Sequence, residues 1–471
     1  MCARKLLLLA AALVGTVLAD PQTLILKNFR NGITTTVKNT EVRLDMKRLK
    51  INLWQSQDGA NLYLASNDNA DYFKNIQVTT GGATHSLSEI LTPNSDGTPQ
   101  KLTISGGLTV TTTNPDSVTN TLTGYLYITT AKQAQDPLFK VYVITGTHHL
   151  NIIGQQSTTV VLNTQVQTQS QETDIPQKNT LIPGIQQDSN AQLALNFGIP
   201  SATYNTDGAV NNFFTNPVQV LLPTKLSYTK FFSNIEPLQI GLDYWYITAT
   251  GSINMTLQNN YLDSHNITTT AVDTTGVIIS SNKVYQEHVV NFKLDPNRGR
   301  TIGSYIDTIL TRQVSVNFIF IDATGKSVRQ TFDNQNPNEV MTDPDFAAQK
   351  LVVNATDILP GVFYCQYYGF SNALQSTTTQ ATPVTQNSPT TQSSSQTTAT
   401  NQTPASPGSS TTAAPSGGST TTGPTNAPGS STTAPTNSPT SPTVMTTTRS
   451  SRSLLMTDVL LFFTVICGLF L

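Results

Sequence analysis

Residues 139–144 read FKVYVI, and their β-branched and aromatic side chains favour an extended strand over a helix. Residues 314–320 read VSVNFIF, where apolar and polar residues alternate as in a half-buried strand. Similar runs recur at 23–26, 49–54, 62–64 and 124–128. No apolar stripe with a helical period extends beyond about two turns. We therefore predict an all-β protein, built as two or three antiparallel β-sandwich domains and followed by a disordered Ser/Thr/Pro-rich stalk.

The predicted domain boundaries depend on an internal similarity and on one polar connection. Residues 122–129 (LTGYLYIT) resemble residues 241–248 (GLDYWYIT), about one sandwich domain further along the chain. The stretch 165–190 is Gln-rich and contains Pro176 and Pro183, which is typical of an inter-domain connection. We predict a first sandwich domain at 20–165 and one or two further sandwiches at 190–375.

The first 19 residues have the pattern of a secretory signal peptide. Arg4 and Lys5 precede an apolar run from residue 6 to residue 18, and small residues lie at the expected cleavage site. We predict cleavage after Ala19, so that Asp20 begins the mature chain.

Residues 376–450 differ sharply in composition from the rest of the chain. Forty of these 75 residues are Ser or Thr, ten are Pro, and none is aromatic. Such a segment cannot bury enough apolar surface to offset its chain entropy, so it is predicted to be disordered. Ser and Thr mixed with Pro are also typical of O-glycosylated, mucin-like stalks; an unmodified linker is the alternative.

The C-terminal segment 451–471 is predicted to be a GPI-attachment signal. Residues 459–471 are uncharged and mostly apolar, and as a helix they would extend about 20 Å, less than the roughly 30 Å hydrocarbon core of a bilayer. The small residues Ser450 and Ser451 are candidate attachment sites. The expected partner is the plasma membrane through a GPI anchor, and a single membrane-spanning helix is the alternative.

Cysteine usage follows from these two end segments. Of the three cysteines, Cys2 belongs to the signal peptide and Cys467 to the GPI signal, which leaves Cys365 as a free cysteine in the mature chain. The strand-like flanks of Cys365 indicate burial in a sheet, and pairing with a second chain is the alternative.

Charge and motifs exclude several classes of function. Only 11% of the residues are charged and the formal net charge is −2, so we expect no nucleic-acid partner. The sequence contains neither His-Glu-x-x-His nor Gly-x-Ser-x-Gly, which are common hydrolase signatures. His148 and His149 are interpreted as a surface pair, and the oxygen-rich stretch 67–71 as a solvated turn. We predict no catalytic residues, no metal and no cofactor.

Two Asp-x-Thr-Gly stretches, at 273–276 and 322–325, are predicted to be hairpin turns. Asp bonds the backbone two residues further on, and Gly supplies a positive φ. Aspartic proteases carry a related Asp-Thr-Gly, but here an extra residue separates Asp from Thr. The two copies are also too close in sequence to belong to two catalytic lobes.

Four Asn-x-Thr sequons predict N-glycosylation in a secreted chain, at Asn254, Asn266, Asn354 and Asn401. We expect Asn254 and Asn266 to flank one hairpin, whose face their glycans would shield.

Four short stretches resemble segments of nematode secreted surface proteins with CUB-like domains. They are the Val-Asp-Thr-Thr-Gly stretch at 272–276, its partner at 321–325, the Asp-Pro-Asp-Phe stretch at 343–346 and the expected strand at 361–370. Several members of that group are GPI-anchored on Thr-rich stalks. The resemblance implies a cell-surface role in epithelial or innate immune defence, without catalysis.

The sequence thus predicts a non-catalytic binding or adhesion ectodomain, displayed at the cell surface on a mucin-like stalk with a lipid anchor. Its expected ligand is an extracellular protein or glycan. The alternatives are a GPI-anchored extracellular hydrolase with a dispersed site and a purely protective glycoprotein coat.

Overall fold

The computed structural model describes most of the region from Asp20 to Phe370, in the segments 20–37, 41–46, 49–54, 58–95, 97–166, 178–202, 212–221, 227–262, 265–281, 287–296, 302–306, 316–332, 341–342, 346–355 and 362–370. All of them fall within Met1–Ala381, the first of the two units into which the chain divides. The predicted signal peptide, stalk and GPI segment lie outside the described residues, as do Asn401, Ser450 and Ser451.

The described residues between 22 and 128 form a first sandwich and a separate hairpin. One sheet has the strand order β1-β10-β5-β8 and the other has β2-β9-β6-β7, while β3 and β4 pair with each other. The strands are β1 (Gln22–Ile25), β2 (Thr35–Val37), β3 (Glu41–Met46), β4 (Leu49–Trp54), β5 (Asn61–Ala65), β6 (Ile76–Thr80), β7 (Ala83–Ser86), β8 (Leu102–Thr103), β9 (Leu108–Thr112) and β10 (Tyr125–Ile128).

The core of the first sandwich follows directly from residue alternation. In β6 and β9 every second residue is buried, so that Val78 and Val110 face inward while Thr79 and Thr109 lie on the outer face. Three short α-helices are described, α1 (Ala70–Lys74), α2 (Asp116–Thr119) and α3 (Ala131–Gln135), together with 3₁₀ turns at Leu26–Asn28 and Leu87–Ile90.

The second sandwich pairs a sheet of order β11-β13-β22-β16-β17 with one of order β12-β23-β14-β21, in which β15 also pairs with β23. Its core contains the buried Trp245, Leu195 and Ile247. The strands of this part of the chain are β11 (Phe139–Ile144), β12 (Thr147–Ile152), β13 (Ser157–Asn163), β14 (Thr180–Ile182), β15 (Ile185–Gln187), β16 (Gln192–Phe197), β17 (Asn212–Asn216), β18 (Val218–Leu221), β19 (Ser227–Lys230), β20 (Asn234–Ile235), β21 (Leu238–Ile240), β22 (Tyr244–Thr250) and β23 (Ile253–Gln258).

The third sandwich pairs a sheet of order β20-β25-β32-β27-β30 with one of order β24-β26-β31-β28-β29. Phe318, Phe320 and Phe363 lie in its core. The remaining strands are β24 (Asn266–Thr268), β25 (Thr274–Ser281), β26 (Glu287–Asn291), β27 (Ile302–Ile306), β28 (Val316–Asp322), β29 (Ser327–Phe332), β30 (Met341–Thr342), β31 (Ala348–Ala355) and β32 (Val362–Phe370).

A tyrosine-rich interface joins the first sandwich to the second. Tyr63, Tyr125 and Tyr127 on the outer face of one sheet pack against β11, β13 and Tyr246 of the other. The Tyr125 hydroxyl donates to the Asp243 carbonyl at 2.5 Å, and its ring lies 5.8 Å from that of Tyr244. The two similar stretches 122–129 and 241–248 therefore meet across one interface, and both faces of their strands are buried.

The second and third sandwiches are joined by side chains of β32. The Tyr364 ring stacks on Phe197 at 5.4 Å and on Phe213 at 5.6 Å. The buried Gln366 amide accepts from the Thr215 N–H at 2.9 Å and donates to the Thr215 carbonyl at 2.8 Å. Gln366 thus satisfies the peptide of Thr215 as a neighbouring strand would.

The all-β prediction is confirmed, and the described residues form three sandwiches, within the predicted two or three. Most strand pairs are antiparallel, but β11–β13, β20–β25 and β24–β26 are parallel. β13, which precedes the predicted connection at 165–190, pairs with β22, which follows it. The domain boundaries themselves stay predictions.

One of the two predicted Asp-x-Thr-Gly turns is confirmed and the other is wrong. Asp322 accepts from the Thr324 and Lys326 N–H groups, and Gly325 has a φ of 83° in the turn between β28 and β29. At 273–276 the chain is instead extended, because β25 begins at Thr274 and pairs with β32 along its full length.

Candidate functional site

Asn254 lies in the outer face of the second sandwich. Its neighbours Ile253 and Met255 are buried in the core, so strand alternation places Asn254 outward, and it is exposed. It lies between Asn151 of β12 and Gln186 of β15, in a row of amide side chains across the sheet.

Asn266 begins β24, the strand at one end of its sheet in the third sandwich, and it is exposed. Its Oδ1 accepts from the Asn291 Nδ2 at 3.0 Å. Asn254 and Asn266 belong to different sheets, so the expectation that they flank one hairpin is wrong. The intervening chain leaves β23 and enters another sandwich rather than turning back on itself.

Asn354 lies in β31, between Glu287 of β26 and Asn317 of β28. It is half-buried, and the adjacent Val353 is buried in the core, so Asn354 belongs to the outer face of the sheet. Of the four sequons, these three lie within the described residues, and none of the three asparagines is fully buried.

Cys365 lies in the core of the third sandwich and forms no disulfide in the described part of the chain. Burial raises the pKa of its thiol well above the ordinary value. A thiol in this position cannot reach a second chain without unfolding the sheet.

The oxygen-rich stretch 67–71 is a structured turn. The Asp68 carboxylate accepts from the Ser66 hydroxyl at 2.7 Å and from the Thr123 N–H and hydroxyl, each at 2.9 Å. Asn69 caps α1 by accepting from the Asp71 N–H at 3.0 Å. Within the described segments, no group of three or more His, Cys, Asp or Glu side chains comes together as metal ligands would.

His148 and His149 lie on opposite faces of β12. His149 is exposed, with Nδ1 3.1 Å from the Thr256 hydroxyl, whereas His148 is half-buried with its ring against Tyr142. Burial, and then the neighbouring His149, lower the pKa of His148. The interpretation as a surface pair therefore holds for His149 and only in part for His148.

Glu236 is a buried carboxylate that sequence reasoning missed. Its Oε1 accepts from the Thr270 N–H at 2.8 Å, the Thr270 hydroxyl at 3.1 Å and the Thr274 hydroxyl at 2.8 Å. These bonds fasten the start of β25 to β20. No local signal marks Glu236, because its partners lie more than 30 residues away in the sequence.

The described residues define a multi-sandwich β protein, with Asn254, Asn266 and Asn354 on its outer sheet faces or at a sheet end. A family model described as "Glycoprotein: Transmembrane glycoprotein" matches residues 57–466, which is most of the chain. The chain belongs to this transmembrane glycoprotein family. Nothing in the match supports the CUB-like resemblance specifically, and that resemblance stays a hypothesis.

A search of curated proteins found no match. Among solved structures, the insecticidal delta-endotoxin Cry8Ea1 from Bacillus thuringiensis is 8% identical, with a TM-score of 0.16 and coverage of 40% of this chain and 42% of the toxin. A chain described by the triple jelly roll fold and turret assembly of an archaeal virus is 10% identical, with a TM-score of 0.15 and coverage of 74% of this chain and 94% of its own. The chain spans less than half the length of the toxin, and TM-scores this low carry no argument about the present protein.

None of the helices in the described part of the chain has the length and apolar character needed to cross a bilayer.

Proposed function

We propose that the chain is a non-catalytic cell-surface glycoprotein with a binding or adhesion head at 20–375, displayed on a mucin-like stalk at 376–450. The observation that carries the proposal is the joining of the three sandwiches by buried aromatic and amide contacts. Sandwiches joined in this way present their outer sheet faces in a fixed geometry, which favours recognition of an extended surface. The membership in a transmembrane glycoprotein family supports a surface location.

The proposal includes N-linked glycans that shield part of the head. Asn254, Asn266, Asn354 and Asn401 are the proposed N-glycosylation sites, and the first three lie on outer sheet faces or at a sheet end. Residues 20–253 contain no sequon, so the first sandwich and the tyrosine-rich interface carry no proposed N-glycan. The ligand, an extracellular glycan or protein, is expected at an unshielded face. If the CUB-like resemblance holds, the role would lie in epithelial or innate immune defence.

The anchor can be tested by enzymatic release. If residues 451–471 direct GPI attachment at Ser450 or Ser451, phosphatidylinositol-specific phospholipase C should free most of the protein from intact cells. The measurement is the fraction of protein in the medium after treatment, with a known GPI-anchored protein as control. Retention of the protein in the membrane fraction would instead favour a membrane-spanning helix.

The spacer role of the stalk predicts a difference between cells and soluble protein. A flexible chain of 75 residues has a root-mean-square span of roughly 50 Å, and the fully extended limit is about 200 Å. Deleting residues 376–448 should leave head binding in solution unchanged, yet sharply reduce capture by cells, since the head would lie among neighbouring surface glycans.

The probe is found first, by screening the soluble head against a glycan array and against fractions of a tissue extract. Beads are then coated with the glycan or the fraction that the head binds best. Capture is compared at equal surface density of the two forms. Equal capture would contradict the spacer role. Hydrolysis of the probe would favour the alternative of an extracellular hydrolase. If no probe binds at all, the alternative of a protective glycoprotein coat is favoured.

A further inference from the structure

An apolar row crosses the outer face of the third sandwich, where a solvent-facing sheet is usually polar. It consists of Val289 of β26, Val352 of β31 and Ile319 of β28, because Val289 pairs with Val352 and Val352 pairs with Ile319. The next residues along two of these strands, Val290 and Val353, lie in the core, so strand alternation places the apolar row on the outer face. Val289 and Ile319 are half-buried there, and Val352 is 8% exposed.

Two sequon asparagines lie beside this apolar row. Asn266 of β24 is the register partner of Val289, and Asn354 follows Val352 by two residues on the same face of β31. With strands about 4.8 Å apart and a rise of about 3.3 Å per residue, the two asparagines are separated by roughly 12 Å. Each valine of the row therefore has one sequon asparagine next to it.

A hydrogen bond holds the amide of Asn266 in a defined orientation. Its Oδ1 accepts from the Asn291 Nδ2 at 3.0 Å, and the same Nδ2 also donates to the Ile267 carbonyl at 3.3 Å. The bond uses the oxygen of the Asn266 amide, whereas an N-linked glycan is attached to its nitrogen. The orientation is therefore compatible with attachment and fixes the direction in which the first sugar leaves the sheet.

Asn254 has different surroundings and provides an internal comparison. Its register partners in the second sandwich are Asn151 and Gln186, and Thr256 follows two residues along the same strand. These neighbours are all polar. A glycan at Asn254 would therefore leave a polar surface, whereas glycans at Asn266 and Asn354 would leave an apolar one.

We propose that the first sugars of N-glycans at Asn266 and Asn354 pack over the apolar row and stabilise the third sandwich. One face of a pyranose ring consists of C–H groups, and laying it on valine and isoleucine side chains removes apolar surface of both partners from water. The inference rests on the N-glycosylation sites of the proposed function. It gives two of them a structural role in addition to shielding.

The experiment removes the glycans of one face at a time from the full chain produced in secretory cells. Thr268→Ala/Thr356→Ala abolishes the two sequons beside the apolar row and keeps both asparagines, and Thr256→Ala does the same for the sequon of the polar face. We expect the first variant to unfold at a midpoint about 2–4 °C below that of the parent. Its amides in β26 and β31 should exchange hydrogen several-fold faster, while the Thr256→Ala chain should match the parent.

Two controls separate the glycans from the threonine side chains and test the contact itself. Thr268→Ser/Thr356→Ser keeps both sequons, since Asn-x-Ser is also an acceptor, and should unfold like the parent. Val289→Thr keeps the β-branched shape and places a hydroxyl in the apolar row. In that background, removal of the two sequons should lower the midpoint by less than half as much as in the parent, because the glycan and the valine act through one contact.

Mass spectrometry of each asparagine shows which proposal a negative result contradicts. If Asn266 and Asn354 carry glycans, the packing is overturned by an unchanged midpoint without them, by an equal loss in the Thr256→Ala chain, or by a loss that Val289→Thr leaves unchanged. The glycosylation sites then stand. If Asn266 and Asn354 are empty in the parent, the packing is overturned together with these two sites of the proposed function.

Discussion

Replacing Gly276 with alanine is expected to lower the free energy of unfolding by about 3 kcal/mol, at the upper end of what overpacking costs. A Cβ at this position would lie 2.5 Å from Cζ of Tyr367 and 3.0 Å from Cε1. The Tyr367 ring is buried and packs against Phe292, with ring centroids 6.4 Å apart, so moving it aside would disturb the core of the third sandwich. Chemical denaturation of the full chain, compared with the parent, measures the loss.

The matched control is Gly325→Ala, in the other Asp-x-Thr-Gly stretch. Gly325 has a φ of +83°, and a Cβ added there would have no atom within 4 Å, so only backbone strain of about 1 kcal/mol is expected. A loss for Gly276→Ala no larger than that for Gly325→Ala would show that Tyr367 does not cover Gly276.

Replacing Trp245 with alanine is expected to cost about 4 kcal/mol, because the largest buried side chain of the second sandwich would leave a cavity. Its ring meets Phe213 edge-on at 6.4 Å, and Nε1 donates to the Thr180 hydroxyl at 3.3 Å. Because Phe213 also stacks on Tyr364, the loss should reach the junction with the third sandwich. We expect a lower midpoint of thermal unfolding and earlier proteolysis near that junction.

One further variant at Trp245 and one surface control separate the contribution of buried volume to stability from that of the hydrogen bond to Thr180. Trp245→Phe keeps most of the apolar volume and loses the hydrogen bond to Thr180, so it should cost less than half as much as alanine. Ile153→Ala removes a side chain that is 74% exposed and should change the free energy of unfolding by less than about 0.5 kcal/mol. A Trp245→Ala protein as stable as the Ile153→Ala protein would contradict this account of the core.

Local patterns predicted the strands well. The runs at 139–144 and 49–54 coincide with β11 and β4, because apolar and β-branched residues in alternation favour a half-buried strand whichever strand pairs with it. The strand-like flanks of Cys365 placed it in a strand, and turn chemistry predicted the turn at 322–325, where Asp322 and Gly325 act within five residues of each other.

Contacts between distant residues were not predicted. Gln366 bonds the peptide of Thr215, and Glu236 bonds Thr270 and Thr274, but polar residues of this kind also occur on any exposed strand. The similar stretches at 122–129 and 241–248 suggested a repeat, yet in the structure they are the strands that meet at the tyrosine-rich interface. A pattern along one strand carries no information about which surface covers its second face.

The sequence by itself determined that this chain is all-β, where most of its strong strands lie and which asparagines stand in Asn-x-Thr sequons, because these properties depend on residues within a few positions of one another. Only the tertiary structure decided the strand order, the parallel pairing of β11 with β13, and the different conformations of the two Asp-x-Thr-Gly stretches. Gly276 lies in a strand because β25 pairs with β32, which places Tyr367, 91 residues away, opposite it, whereas Gly325 lies in a turn held by Asp322 three residues before it. Pairing over such separations is selected by burial of the whole surface, which no local pattern encodes.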